Sequence, residues 1–224
     1  MSRESANKPK VAVIVGQHPF DVISFQKLFN NISGIEPYHQ NMEQFTSSPK
    51  EIRESYGVLL FYNFHRQDPT DQDPWYAGKT KSVLESLGDT KQGIFLLHHA
   101  ILAYPDWRVW SDLCGIQDRK HDYHVNQNVH YIVADKNHPI TSGLADFDMT
   151  DETYTMNSAG GDSRILITTD HPLSMKTIAW SRKYKNADVF CYESGHDDQA
   201  YGNENFRKIV RRGILWLDGI YEEE

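Results

Sequence analysis

The chain has 224 residues, 39% of them hydrophobic and 24% charged, which suffices for one well-buried core of ordinary soluble composition. A formal charge of −8, with no dense Lys/Arg run, argues against general binding to nucleic acid or to an anionic membrane face. Two cysteines, Cys114 and Cys191, exclude a disulfide framework and a Cys-rich metal site, and no apolar run reaches bilayer length.

Residues 1–10 are polar and lack the apolar centre of a secretory signal, so cytoplasmic residence is expected. Residues 10–16, KVAVIVG, form a compact β-branched run closed by Gly16, the pattern of a buried parallel strand. Over 20–32 the apolar residues Phe20, Ile23, Phe25, Leu28, Phe29 and Ile32 fall close to helical spacing, with Asp21 and Ser24 as capping groups and Gly34 as the stop. A short strand is expected at 36–41, and 49–55 carries a weak helix signal. A second buried run is 57–62, GVLLFY; 75–87 reads as a helix stopped by Gly88; a third run, 93–97, GIFLL, leads into His98-His99. Strands alternating with helices imply right-handed crossovers and a mostly parallel sheet.

The second half differs. Strands at 129–134, 164–168, 177–181 and 188–192 are joined by turn-rich links with little helix, which predicts an antiparallel extension of the sheet. Residues 203–217 are amphipathic and close the fold as a helix, with Arg207, Lys208, Arg211 and Arg212 on its wet face. No repeat or linker divides the chain, so it reads as one three-layer α/β domain of flavodoxin-like type.

Ligands of open α/β sheets collect outside the carboxyl ends of the parallel strands. The residues there are Gln17, His18, Pro19 and Phe20; Asn63, Phe64 and His65; His98, His99 and Ala100; and Glu193, Ser194, Gly195, His196 and Asp197. Histidine after four separate strands points to a site. His121 and His124 add two imidazoles just ahead of a strand, and would share one face if that segment were helical. Residues 151–154, Asp151-Glu152-Thr153-Tyr154, read as a loop. Their acids suit general acid/base work beside imidazoles, and equally suit a solvated turn or a helix cap.

Histidines with carboxylates can hold zinc or a similar divalent ion, although no His-Glu-x-x-His spacing occurs. Gly-x-Ser-x-Gly is absent, Ser194 lacks a second framing glycine, and neither cysteine sits in a Gly-flanked turn, so no covalent nucleophile is expected. Walker A and Gly-x-Gly-x-x-Gly are also absent, which removes support for nucleotide binding. His138 and His171 read as turn histidines bonded to nearby backbone, and Trp180 and Trp216 as core; Trp107 falls near the His98-His99 loop.

Taken in order, these segments resemble the ThuA-like, or trehalose-utilisation, family. The likeness rests on 93–100, GIFLLHHA, with Tyr104-Pro105-Asp106-Trp107; on 138–144, HPITSGL; and on Asp151-Glu152-Thr153-Tyr154. It continues through 168–172, TTDHP, Ala179-Trp180, Gly195-His196-Asp197 with Tyr201, and Gly213-Ile214-Leu215-Trp216. The opening 16–21, GQHPFD, resembles a Gly-Gly-His-Pro start, with Gln17 and Cys114 as departures. It spans nearly the whole chain, from about Lys10 to Gly219.

The resemblance implies a fold similar to class I glutamine amidotransferases, in which a strand-end elbow carries cysteine and a late strand delivers histidine. Here the elbow reads His98-His99 and the late histidine is His196, so amidotransferase activity is expected to be absent. The family's association with trehalose utilisation and with sugar dehydrogenases implies a small carbohydrate or keto-glycoside substrate, and hydrolysis, elimination or isomerisation. On this reading His99 and His196 form an acid/base pair, with Glu152 or Asp151 orienting an imidazole or acting as base. His99 is preferred to His98 because the residue just past the strand end is expected to project outward. His18, His98 and His121 line the pocket, His18 or His121 completing a metal site if one exists. Asp106, Trp107, Tyr154 and Asp197 contact hydroxyls or stack on the ring. The alternative is a non-catalytic sugar-binding or interaction module on the same scaffold, and a homo-oligomer is left open.

Overall fold

A computed structural model of the chain describes residues 8–72, 74–75 and 78–220. The first half runs β1 (Lys10–Gly16), α1 (Val22–Asn30), β2 (Glu36–Asn41), α2 (Met42–Ser47), α3 (Lys50–Arg53), β3 (Val58–Asn63), α4 (Thr80–Glu85) and β4 (Gly93–Leu97). A 3-10 turn (His98–Leu102) and α5 (Arg108–Cys114) follow. The rest comprises β5 (Asp122–Val133), β6 (Phe147–Thr155), β7 (Arg164–Thr168), β8 (Thr177–Tyr184), β9 (Ala187–Tyr192), α6 (Asp198–Gly202) and α7 (Glu204–Leu217).

One nine-stranded sheet has the order β2-β1-β3-β4-β9-β8-β7-β5-β6. β2, β1, β3, β4 and β9 are mutually parallel, and β8, β7, β5 and β6 extend the sheet antiparallel, as the sequence predicts. The central strands β3 and β4 are buried along their whole length, which is why their sequences are continuous apolar runs. Helices α1, α6 and α7 cover one face through Phe25, Leu28, Phe29, Phe206, Ile209 and Ile214. Helices α2, α4 and α5 cover the other through Phe45, Leu84, Trp110 and Leu113. Each such large apolar side chain contributes about 2 kcal/mol of burial free energy.

Local signals set the helix ends. Asp21 caps α1, its Oδ1 accepting from the amides of Ile23 at 2.9 Å and Ser24 at 3.2 Å. Asn203 caps α7 through the amides of Asn205 and Phe206. Three helices were not read from the sequence: α2, which opens on an Asn41/Gln44 capping box; α5, which ends on Gly115 in the left-handed conformation (φ +80°); and the short α6, capped by Asp197. The helix expected over 75–87 is shorter, Thr80–Glu85, and residues 76 and 77 of that expectation lie outside the described residues.

The antiparallel half corrects two expectations. Asp151-Glu152-Thr153-Tyr154 is not a loop but part of β6, where Tyr154 pairs with Tyr123 and Asp151 with Gln127. His121 and His124 do not share a helical face, because β5 begins at Asp122 and His124 lies within it, its Nε2 2.8 Å from Thr155 Oγ1. Only Ile132 and Val133 of β5 pair with β7. The remainder of β5 pairs with β6 alone, across a register shift between His124 and Gln127 where Asn126 has φ +56°. This two-stranded ribbon reaches the carboxyl end of β9, with Asp151 bonded to Gly195 and Tyr154 to Glu193. No helix among the described residues is long and apolar enough to cross a membrane.

Candidate functional site

Strand β4 ends at Leu97, and the chain bends at once: His98 has φ +53°, a region that costs a non-glycine residue about 1–3 kcal/mol. The bend turns the His98 ring under the end of β9. There its Nδ1 lies 2.6 Å from the Glu193 carbonyl oxygen. A carbonyl only accepts, so Nδ1 carries a proton and Nε2 is the ring atom turned to the rest of the cluster. Nε2 lies 2.6 Å from Tyr154 Oη, 3.2 Å from His196 Nδ1 and 3.5 Å from Glu152 Oε1.

His196 arrives from the loop after β9. Gly195 precedes it at φ +115°, and a Cβ there would stand 2.8 Å from Phe206 Cζ, so only glycine permits the turn. Asp151, from β6, fixes this loop. Its Oδ2 accepts the Gly195 amide at 2.7 Å, and its Oδ1 accepts those of His196 at 3.0 Å and Glu152 at 2.9 Å. Burial nonetheless holds the Asp151 carboxyl above the usual carboxylate range, against the pull of His98 and these amides. Glu152 behaves oppositely: burial alone would raise it, but the hydrogen bond and charge of His98, with His196 and Tyr154, outweigh that and hold it below its ordinary value. Glu152 is therefore ionised, with Oε1 3.5 Å from His196 Nδ1.

His98 Nε2, His196 Nδ1 and Glu152 Oε1 thus form a triangle with edges of 3.2, 3.5 and 3.5 Å. Donor atoms held tetrahedrally at zinc bond lengths stand about 3.3–3.4 Å apart. The three residues fit a divalent ion with two imidazoles and one carboxylate, and they are the candidate metal-ligating group among the described residues. The Glu193 carbonyl on Nδ1 supplies the outer support that orients metal-ligating histidines.

A second pair of rings stands beside this triangle. His18 stacks on His99 with centroids 4.2 Å apart, and lies edge-on to His196 at 6.0 Å. Burial, then repulsion from His98 and His196, lowers the His18 pKa; burial, then His98 and His18, lowers that of His99 further. Both rings are uncharged at neutral pH. His99 Nε2 is directed to the Tyr62 carbonyl at 3.3 Å, and Nδ1 of both His18 and His99 is buried without a hydrogen-bond partner among the described residues.

The sequence-named residues therefore divide. His18, His98, His99, His196, Glu152 and Tyr154 gather at one place, with Asp151 buried behind them. The ring that meets Glu152 and His196 is that of His98; His99, one residue further from the bend, turns toward β3. His121 packs edge-on to Tyr154 at 5.6 Å and lines a groove beyond it, where exposed Asp106 also lies. Trp107 is buried against Tyr104, and Asp197 caps α6 by accepting from Gln199, so neither faces the rings. Phe64 forms a side wall, edge-on to His18 at 5.6 Å and His99 at 5.8 Å. Glu193 is fully buried and pushed well above its ordinary pKa, first by burial and then by Asp151, which keeps its side chain neutral. From the sequence, Glu193 stands at a strand end with no role assigned to it.

Both thiols are buried, and Ser194 donates to Tyr131 Oη at 3.1 Å within the interior. His138 Nδ1 and His171 Nδ1 accept nearby backbone amides, those of Ile140 and Leu173, as expected of turn histidines.

The profile of the ThuA family, described as trehalose utilisation, matches residues 24–217. The chain belongs to the ThuA family. Among solved structures, a ThuA-like protein from Parabacteroides merdae superposes with a TM-score of 0.74 at 17% identity, covering 97% of this chain and 93% of that one. A ThuA-like protein from Bacteroides uniformis gives 0.70 at 18% identity, covering 95% and 93%. A GMP synthase protein from Thermoplasma acidophilum gives 0.53 at 9% identity, covering 91% and 92%, a likeness of fold to the amidotransferases. No curated protein matches this ThuA chain in sequence. At the bend after β4 this chain carries an imidazole, His98.

Proposed function

We propose that this ThuA protein is a cytoplasmic carbohydrate-processing enzyme that holds a divalent ion through His98, Glu152 and His196. Its substrate is a small sugar or keto-glycoside, and its chemistry is proton transfer at carbon with departure of a glycosidic oxygen. The observation that carries this reading is the triangle of ligand atoms, with edges of 3.2–3.5 Å and a His98 tautomer already set by the main chain. The family description, trehalose utilisation, supports the sugar.

A divalent ion bound here would polarise a keto or enediolate oxygen of the substrate. The residues around it perform the proton work. A keto group acidifies the neighbouring C–H; His18, half-buried and uncharged, is the base that takes that proton, and the imidazolium so formed returns it to the departing glycosidic oxygen as the C–O bond breaks. His99 stacks behind His18 and holds its ring in place. Glu152 stays ionised within the cluster, and Tyr154 Oη stands 2.6 Å from His98 Nε2. Phe64 and Tyr154 wall the rings and limit water.

The test combines elemental analysis of purified protein with product analysis on candidate keto-glycosides. About one equivalent of divalent ion per chain is expected, together with turnover. Both should be lost in His98→Ala and His196→Ala while circular dichroism stays native. Tight sugar binding without any product would support the non-catalytic alternative and end the enzymatic reading.

A further inference from the structure

A groove of about 550 Å³ opens next to the ring cluster, lined among others by Arg66, Asp106, Arg119, Lys120 and His121. Both of its near walls end at the cluster. His121 packs against Tyr154, whose hydroxyl meets His98. Arg66 lies 5.0 Å above the Phe64 ring, which flanks His18 and His99. The groove thus borders the cluster across Tyr154 and Phe64.

Arg119 is only 3% exposed. Its guanidinium donates to the carbonyls of Ile101 at 3.0 Å, Ala103, Tyr104 at 2.6 Å and Pro105 at 3.3 Å, and to Ser111 Oγ at 3.1 Å. All five acceptors are neutral. Among the described residues no carboxylate forms an ion pair with Arg119; Asp106 and Asp68 act on it only at longer range, and Nε has no partner. A buried cation without a bonded counter-charge is costly unless something anionic completes it. Arg66 and Lys120, both exposed, add positive charge at the rim, while Arg108 is engaged by Asp112 at 2.9 Å. Asp106 and Asp118 also line the groove and lessen its field, yet in a chain of charge −8 this corner remains locally cationic.

We propose that this groove receives an oxyanion carried by the substrate, so that the sugar acted on is acidic: a uronate or a sugar phosphate. This rests on the reading that the cluster acts on a sugar, and adds the charge of that sugar. Carboxylate and phosphate share the required chemistry, namely planar or tetrahedral oxygens that accept charge-assisted hydrogen bonds from arginine.

Calorimetric titration of metal-free protein with D-glucose, D-glucuronate and D-glucose 6-phosphate tests the proposal, because binding in that state needs neither the ion nor turnover. The anionic sugars should bind at least about tenfold more tightly than glucose, with the margin shrinking as salt rises. The double variant Arg66→Ala/Lys120→Ala, confined to exposed side chains, should cut the margin at least about threefold with Arg119 still in place, whereas the charge-matched control Lys27→Ala/Lys208→Ala, exposed and outside the groove, should preserve it. Whichever anion binds more tightly then names carboxylate or phosphate. Equal affinity for all three sugars, absence of binding by the anionic ones, or a margin undiminished in the double variant would overturn the proposal. So would an equal loss in the control, since the anion would then answer to net charge and not to the groove. Failure of metal uptake or turnover, by contrast, would count against the enzyme reading and leave this result legible.

Discussion

The two halves of the sheet equip the site by different means. The parallel half delivers His18, His98 and His196 from loops just past strand ends, and its devices are backbone devices: a residue at φ +53° and a glycine at φ +115°. The antiparallel half delivers Asp151, Glu152 and Tyr154 from within a strand, β6, that bends back over the end of β9. The rule that ligands sit beyond strand ends finds the imidazoles and says nothing about the acids. A site assembled this way has a rigid wall and an imported one, and the two should respond differently to substitution.

The largest expected effect is on the rigid wall. His98→Ala removes one corner of the triangle and should weaken zinc affinity more than about 100-fold, read by competition with a chromogenic chelator. Near-native affinity would show that the parallel half does not anchor the ion. On the imported wall, Asp151→Asn turns one acceptor of three backbone amides into a donor. It should cost about 2–3 kcal/mol in urea unfolding, because it loosens the seam between ribbon and β9. Gly195→Ala forces a Cβ toward Phe206 in a left-handed residue and should cost about 2 kcal/mol in the same measurement. If Asp151→Asn is harmless and Gly195→Ala is severe, the seam is held by the β9 loop alone.

The smallest effect is a slope. Glu193 has a raised pKa in the folded state, so the folded protein retains a proton that the unfolded chain loses. Its stabilising contribution is complete below the ordinary glutamate pKa and fades as pH rises toward the folded value. Thermal midpoints should therefore fall with rising pH above the glutamate range, and Glu193→Gln should flatten that fall. An unchanged slope would show that another group, with Asp151 the first to examine, carries the proton.

Much of the fold is legible in the residues. The runs at β1, β3 and β4 are continuously apolar because both faces of those strands are covered. Asp21 marks the start of α1 in the sequence, and the amphipathic period of 203–217 marks α7, whose Asn203 cap the structure adds. The capping box at Asn41 and Gln44 was equally present in the sequence, in a helix of only six residues whose apolar period is too short to read. The acids were harder. Asp-Glu-Thr carries no strand pattern, and what makes 151–153 a strand is pairing with β5, a partner more than twenty residues away. The preference for His99 over His98 is overturned in its premise: His99 does not project outward but is buried, and His98 meets His196 and Glu152, because adjacent identical residues differ only in the backbone angle that aims them.

The proton on His98 is placed by a main-chain oxygen, that of residue 193, at 2.6 Å. Side chains drift under mutation, but every amino acid brings a carbonyl. Whatever replaced the side chain at 193, the acceptor would persist for as long as β9 keeps its path beside β4. The tautomer is thus inherited from topology, and chains sharing this strand order can exchange much of their surface chemistry while keeping one imidazole permanently poised.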